Sequence, residues 1–184
     1  MFHAMTASDY NALKDYPTLI YGLAPSPFGQ AAVAWWPDAK KGNDKICYFG
    51  LKSGDLKVIH ALQRLFPRND LHRDDQRVVE FVDRYFKSPD AVAKKTPVIM
   101  KGTPFFLEVW KTLHATKPGH TMSYGELAAL CDRPRASRAV GSAMSSNPVA
   151  LLVPCHRVLA STGGMGGYAY GLETKKRLLA NEKA

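Results

Sequence analysis

Cysteine is scarce in this sequence of 184 residues: only Cys47, Cys131 and Cys155 occur. They show no CxxC spacing and cannot all pair with one another, which argues against a disulfide scaffold and fits the reduced thiols of a cytosolic or nuclear protein. The six histidines lack HxxxH or mixed Cys/His ligand spacing, so no metal is expected. No stretch reaches the ~18 consecutive apolar residues of a membrane span, and Met1 to Tyr10 lacks the apolar core of a secretory signal. An intracellular protein without a membrane partner is expected, cytoplasmic in a prokaryote or nuclear in a eukaryote. No internal repeat or low-complexity tract is present.

What the chain does contain is 46% apolar residues, enough to build real cores in one larger domain or two small ones. Its formal charge is +9, from 25 basic and 16 acidic residues. A basic balance permits nucleic-acid binding without requiring it. Arg133, Arg135 and Arg138 cluster against Asp132 alone, a pattern that fits either a solvated helix face or a nucleic-acid contact.

The first part reads as mixed α/β. Thr18 to Ala24 and Gln30 to Trp36 are β-compatible runs flanking Pro25-Ser26-Pro27-Phe28-Gly29, a hairpin connection, and Ile46 to Leu51 is a third strand. Asp55 to Phe66 carries Leu56, Ile59, Leu62 and Phe66 at helical spacing and is ended by Pro67. Arg77 to Phe86 predicts another helix, with Val78, Val79, Val82 and Phe86 inward. The polar Lys87 to Pro97 reads as a linker between lobes, giving domains 1–97 and 98–184, although Val98 to Lys101 also suits a last edge strand of the first lobe.

The second part is mostly helical. Thr103 caps a helix with Pro104 at its first position, and Phe106, Val109, Trp110 and Leu113 form its apolar stripe. Ser123-Tyr124-Gly125-Glu126 is a capping box opening a short helix through Leu127, Leu130 and Cys131. After the break at Asp132-Arg133-Pro134, a second short helix runs from Arg135 to about Ser146 and stops at Asn147-Pro148. Two short helices joined by a brief turn outline a helix-turn-helix, or an ordinary helical hairpin of a core. The second bears Ala136, Ser137, Ala139, Gly141, Ser142 and Ala143. Small side chains let a backbone approach a narrow groove closely; they also allow tight helix packing.

The chemically suggestive segment is Pro154-Cys155-His156-Arg157-Val158, which follows Leu151-Leu152-Val153 and precedes a glycine-rich stretch from Gly163 to Tyr168. A lone cysteine after an apolar run is ordinarily a core residue. Here His156 and Arg157 supply the basic or hydrogen-bonding partners that a reactive thiol needs. In an extended segment Cys155 and His156 would point to opposite faces, so cooperation between them requires a turn or a bridging water.

These pieces together resemble the O6-alkylguanine-DNA alkyltransferases, also called methylated-DNA-protein-cysteine methyltransferases. The match is dense from Gly102 to Glu182, through Gly102-Thr103-Pro104-Phe105, Val109-Trp110, Ser123-Tyr124-Gly125-Glu126-Leu127-Ala128, Arg138-Ala139-Val140-Gly141, Asn147-Pro148, Pro154-Cys155-His156-Arg157-Val158, Gly167-Tyr168, Gly171-Leu172 and Lys175. The first half matches only through Tyr21-Gly22 and Ser26-Pro27-Phe28-Gly29.

The resemblance implies an α/β fold: an N-terminal ribonuclease-H-like α/β lobe followed by a mainly helical winged-helix lobe with a helix-turn-helix. It implies direct-reversal repair as a monomer on double-stranded DNA containing O6-alkylguanine, with no cofactor, and leaves O4-alkylthymine open as a second substrate. The lesion is implied to be flipped out from the minor-groove side and its alkyl group to pass irreversibly to Cys155, consuming the protein. Arg138 is implied to fill the vacated stack, with Arg135, Ala136, Ser137 and Tyr124 also at the DNA. His156 is implied as base through water, oriented by Glu182, with Asn147 bracing the turn and Tyr124 assisting departure of the guanine. Val153, Tyr168, Ala169, Tyr170 and Met144 are implied to line the substrate pocket. Ala169 replaces a serine found in many members, and Tyr170 stands where glycine is common, which predicts a narrowed pocket.

Three competing readings make different demands. A lesion sensor of the alkyltransferase-like kind lacks the acceptor cysteine, whereas Cys155 is present. A transcriptional regulator would present long polar side chains for major-groove readout and a dimer interface, and neither is evident. A cysteine hydrolase would separate nucleophile and base in sequence, and Cys155 and His156 are adjacent.

Overall fold

The computed structural model describes residues 1–38, 42–161 and 163–182. The chain is mixed α/β and divides into two compact units, Met1–Gly102 and Thr103–Ala184. The boundary expected after Pro97 therefore falls after Gly102.

The first unit is built on a six-stranded sheet. Its strands are β1 (Phe2–Met5), β2 (Leu19–Ala24), β3 (Ala31–Trp36), β4 (Lys45–Gly50), β5 (Leu71–Arg73) and β6 (Val98–Lys101), in the order β1-β6-β4-β3-β2-β5. The β2–β3 and β3–β4 pairs are antiparallel; β6 runs parallel to β1 and β4, and β5 parallel to β2. The predicted hairpin links β2 and β3, with Gly29 at φ +94° and its N–H on Ser26 O at 3.1 Å.

Helices α1 (Ala7–Asn11), α2 (Asp55–Leu65), α3 (Asp75–Lys87) and α4 (Pro89–Lys95) complete the unit. Adjacent tryptophans on β3 point to opposite faces: Trp36 packs 5.4 Å from Phe66, and Trp35 packs 5.6 Å from Phe81 of α3. Both faces of the sheet are thus covered, which is why β3 is an unbroken apolar run. At Gly22 a Cβ would lie 2.7 Å from Asp74 O, so only glycine lets the start of α3 approach β2 this closely.

Several expectations for this unit are corrected. Lys87 to Pro97 is largely helix α4, whose residues include none that is buried, so its polarity marks a solvated helix rather than a linker. Val98–Lys101 lies between β1 and β4 instead of at an edge. Of the residues read at helical spacing, Leu56 is exposed, and α2 buries Val58 and Leu62. In α3 the buried stripe is Val78, Phe81, Val82 and Tyr85, with Val79 and Phe86 only partly covered.

The second unit contains α5 (Pro104–His114), α6 (Tyr124–Leu130), α7 (Ser137–Ser145), the short 3₁₀ turn Cys155–Arg157 and α8 (Leu172–Asn181). Two-residue strands β7 (Met122–Ser123) and β8 (Val158–Leu159) pair in parallel. The caps read from sequence form as expected. Thr103 accepts from Phe106 N at 3.3 Å, and Ser123 and Glu126 make a reciprocal capping box. Asp132, at φ +52°, turns the chain between α6 and α7. The α5 stripe buries Leu107, Val109, Trp110 and Leu113, while Phe106 is partly exposed. Trp110 donates Nε1–H to Ala143 O at 2.8 Å and joins α5 to the inner face of α7. Leu130 is exposed, and Cys131 is buried.

Candidate active site and nucleic-acid interface

Asn147 shapes the approach to Cys155. Its Nδ2 donates to Val153 O at 2.7 Å and its Oδ1 accepts from Val149 N at 2.9 Å, so one side chain spans the turn that carries the cysteine segment. Cys155 follows at the start of the 3₁₀ turn, so the segment that carries Cys155 and His156 is bent and not extended. The thiol is buried, and burial pushes its pKa up to about 11 against the opposing hydrogen bond from Asn147 and the charge of Lys175. A proton acceptor is therefore required to make the thiolate.

His156 is 2% exposed, and its Nε2 lies 2.6 Å from Glu182 Oε1. Burial depresses the pKa of His156, with Glu182 opposing and the Arg157 and Lys175 charges reinforcing the shift. Burial alone would raise that of Glu182, but hydrogen bonds from His156 and Arg157 bring it down to about 2. An ionised carboxylate can only accept, so Nε2 carries the proton and Nδ1 of the neutral ring is the basic atom. Among the described residues, that buried Nδ1 has no hydrogen-bond partner.

Two further residues complete this network: Arg157, read from the sequence as a partner for the thiol but found on Glu182, and Lys175, which received no role from the sequence. Arg157 forks onto Glu182 through Nε (3.0 Å to each oxygen) and Nη2 (2.9 Å to Oε1), while Nη1 reaches Thr116 O at 2.7 Å. Lys175 is fully buried and donates to Val158 O at 2.7 Å, Gly167 O at 3.3 Å and Met165 O. The available signal was a lysine on the same face of α8 as Leu178 and Leu179, where burial demands a full set of acceptors.

Tyr124 opens α6, and its ring lies against Gly166: a Cβ there would be 3.3 Å from Tyr124 Cε2 and from its hydroxyl. Burial raises the Tyr124 pKa and a charge on Cys155 raises it further, so the phenol stays protonated. Tyr168 stands edge-on to His156, with ring centres 6.3 Å apart, and to Tyr170 at 5.5 Å. Of the expected pocket residues, Val153 and Met144 are buried, Tyr168 and Tyr170 partly exposed, and Ala169 exposed. Tyr168 and Tyr170 therefore share one aromatic edge beside His156, whereas the Val153 side chain belongs to the core.

On α7, Val140, Ala143 and Met144 face inward. Arg138 and Ser142 are exposed, Ala136, Ser137, Ala139 and Gly141 are partly exposed, and Arg135 is exposed just before the helix. Ala136, at the N-cap, offers no side-chain cap. A cleft of about 520 Å³ borders this helix, lined by residues including Thr103, Phe105, Arg133, Ala136 and Ala139.

A buried cysteine, followed in sequence by a His–carboxylate pair, shares the second unit with a helical hairpin whose second helix turns small residues outward. The family model described as "6-O-methylguanine DNA methyltransferase, DNA binding domain" matches residues 104–184. A methylated-DNA–protein-cysteine methyltransferase of Kluyveromyces lactis is 32% identical over 147 residues, covering 80% of this chain and 77% of that protein. The Shigella flexneri protein of the same name is 47% identical over 98 residues, covering 53% of this chain and 57% of its own length. The crystal structure of Mycobacterium tuberculosis OGT in complex with DNA superposes with a TM-score of 0.66 at 30% identity, covering 89% of this chain and 92% of that one. The chain belongs to the O6-methylguanine DNA methyltransferase family.

Among the described residues, no helix is long and apolar enough to cross a membrane.

Proposed function

We propose that this protein repairs double-stranded DNA by transferring the alkyl group of O6-alkylguanine to Cys155, once per molecule and irreversibly. The observation that carries the reading is the buried Cys155 thiol, held by Asn147 and followed by a His156 whose Nε2 sits 2.6 Å from Glu182. The same reading takes the first unit as ribonuclease-H-like and the second as a winged-helix lobe, with α6 and α7 as its helix-turn-helix. It makes the protein a monomer, working wherever the genome lies: the cytoplasm of a prokaryote or the nucleus of a eukaryote.

DNA meets α7 in this reading. The outward Ala136, Ser137, Ala139 and Gly141 keep the helix surface low enough for a minor groove, and nothing lies within 4 Å of a Cβ built on Gly141. The uncapped N–H groups at the start of α7, with Arg135, suit phosphate. Arg138 enters the duplex in place of the extruded nucleotide, and the flipped base enters beside Tyr124, Tyr168 and Tyr170. Ala169 contributes through its backbone, and Val153 and Met144 support the wall from behind.

The Cys155 proton passes through a bridging water to Nδ1 of neutral His156, and Glu182 stabilises the resulting imidazolium. The Lys175 charge favours the thiolate that forms. Sulfur then attacks the alkyl carbon in line: the S–C bond forms, the C–O6 bond breaks, and guanine departs with its charge relieved by a hydrogen bond or proton from Tyr124. The product thioether has no leaving group that water can displace, so turnover stops. With Glu182 held near pKa 2, the carboxylate orients and stabilises and does not itself take the proton.

Incubation with a duplex containing one O6-methylguanine, followed by peptide mapping, tests this assignment. Methyl on the peptide bearing Cys155 is the expected result; an unmodified peptide with the lesion intact would refute it.

A further inference from the structure

Arg157 contributes more hydrogen bonds to Glu182 than any other described residue, yet the transfer chemistry as set out above does not use it. Its guanidinium is buried, with a side-chain exposure of 9%, and it bridges Glu182 to Thr116 O at 2.7 Å and Thr116 Oγ1 at 3.0 Å. Gly119 N adds a further donor to Glu182 Oε2 at 3.1 Å. The end of α8 is thereby tied to the segment after α5 and to the 3₁₀ turn, with His156 on the same carboxylate oxygen that receives Arg157.

We infer that Arg157 is a positioning residue: its fork fixes Glu182 for His156, and its positive charge keeps His156 in the neutral form that accepts the Cys155 proton. The inference rests on the proposed transfer at Cys155 for its kinetic consequence, but not for its effect on His156.

The physical argument has two parts. A bidentate fork aligned on a carboxylate restricts its rotation, which a single-point cation cannot do. The same cation also weakens the negative field that Glu182 exerts at the imidazole and repels an imidazolium directly. The other groups acting on or packed against His156 are Lys175 of α8 and the Tyr168 ring. In the segment after α5, Thr116 and Gly119 bring neutral groups and His120 is exposed, with Nδ1 toward Pro118 O. Lys175 acts in the same direction as Arg157 and remains in every variant below.

The test has two arms. In the unreacted full-length protein, the His156 ring proton is titrated by NMR in wild type, Arg157→Gln and Arg157→Lys. In parallel, the second-order rate of methyl transfer from an O6-methylguanine duplex is measured against pH. R157Q should raise the His156 midpoint and move the acid limb of the rate upward by the same amount, slowing transfer several-fold near about pH 6. R157K should keep the wild-type midpoint, because the cation persists, but lower the alkaline plateau, because the fork is lost.

A midpoint in R157Q equal to or below the wild type overturns the inference. If circular dichroism shows R157Q unfolded, R157K decides: an unchanged midpoint with a lower plateau supports the role, and a raised midpoint or an unchanged plateau overturns it. Wild-type protein that transfers no methyl group, while its His156 still titrates, marks failure of the proposed reaction instead.

Discussion

Asn147 and Val153 are joined across the turn by a hydrogen bond of 2.7 Å from side-chain Nδ2 to the backbone carbonyl. The bond fixes the stretch that delivers Cys155, and Asn147 also opposes the rise in the thiol pKa that burial causes.

Asn147→Ala should cost about 1–3 kcal/mol of unfolding free energy, because Val149 N and Val153 O lose their partner in a largely buried turn. It should also slow alkylation of Cys155. Denaturant melts and single-turnover kinetics check both effects, and a variant as stable as wild type would show that the turn holds without Asn147.

Acid should destabilise the second unit in two overlapping steps. Burial depresses His156 below its ordinary 6.5, so protonation favours the unfolded chain and the stability from neutral His156, complete above that value, declines as pH falls through it. Glu182, at about 2 against an ordinary 4.5, contributes stability that is full above 4.5 and lost as pH falls toward 2. Glu182→Gln should be less stable at neutral pH and lose less on acidification below about pH 4.5, as measured by Tm against pH.

Tyr170 stands 5.5 Å from Tyr168 in the aromatic edge beside His156. Tyr170→Gly should accelerate reaction with free O6-benzylguanine relative to O6-methylguanine in DNA. Equal rates for wild type and variant with the benzyl compound would show that Tyr170 does not narrow the pocket.

Arg138 is exposed on α7, away from the inward Val140, Ala143 and Met144. Arg138→Ala should slow repair of duplex DNA by on the order of tenfold, about 1.4 kcal/mol, while leaving reaction with free O6-benzylguanine unchanged. Equal loss on both substrates would place the effect in the pocket instead.

Much of the second unit is legible locally because its signals are short-range. Thr103 with Pro104, the Ser123–Glu126 box and the stop at Asn147-Pro148 each act within a few residues. The first unit depends more on distant pairing. Phe2–Met5 becomes a strand only through Val98–Lys101, and Leu71–Arg73 is a three-residue strand leaning on β2. Pro89–Lys95 has no buried face to give it a period, so it reads as a linker. At the site, Cys155 and His156 stand out through their neighbours, and the family resemblance supplies roles for Asn147, Tyr124 and Glu182. Arg157 is read as a partner for the thiol and Lys175 receives no role, because their acceptors lie elsewhere: Glu182 and Thr116 for one, the carbonyls of Val158, Met165 and Gly167 for the other.

The most direct test is intact-mass spectrometry of the protein after exposure to excess duplex carrying O6-methylguanine, alongside Cys155→Ala. The wild type should gain the mass of one methylene, a methyl group replacing the thiol hydrogen, and the variant should gain none while still binding the duplex. A wild-type mass that stays unchanged, or an equal gain in the Cys155→Ala protein, would contradict transfer to this sulfur.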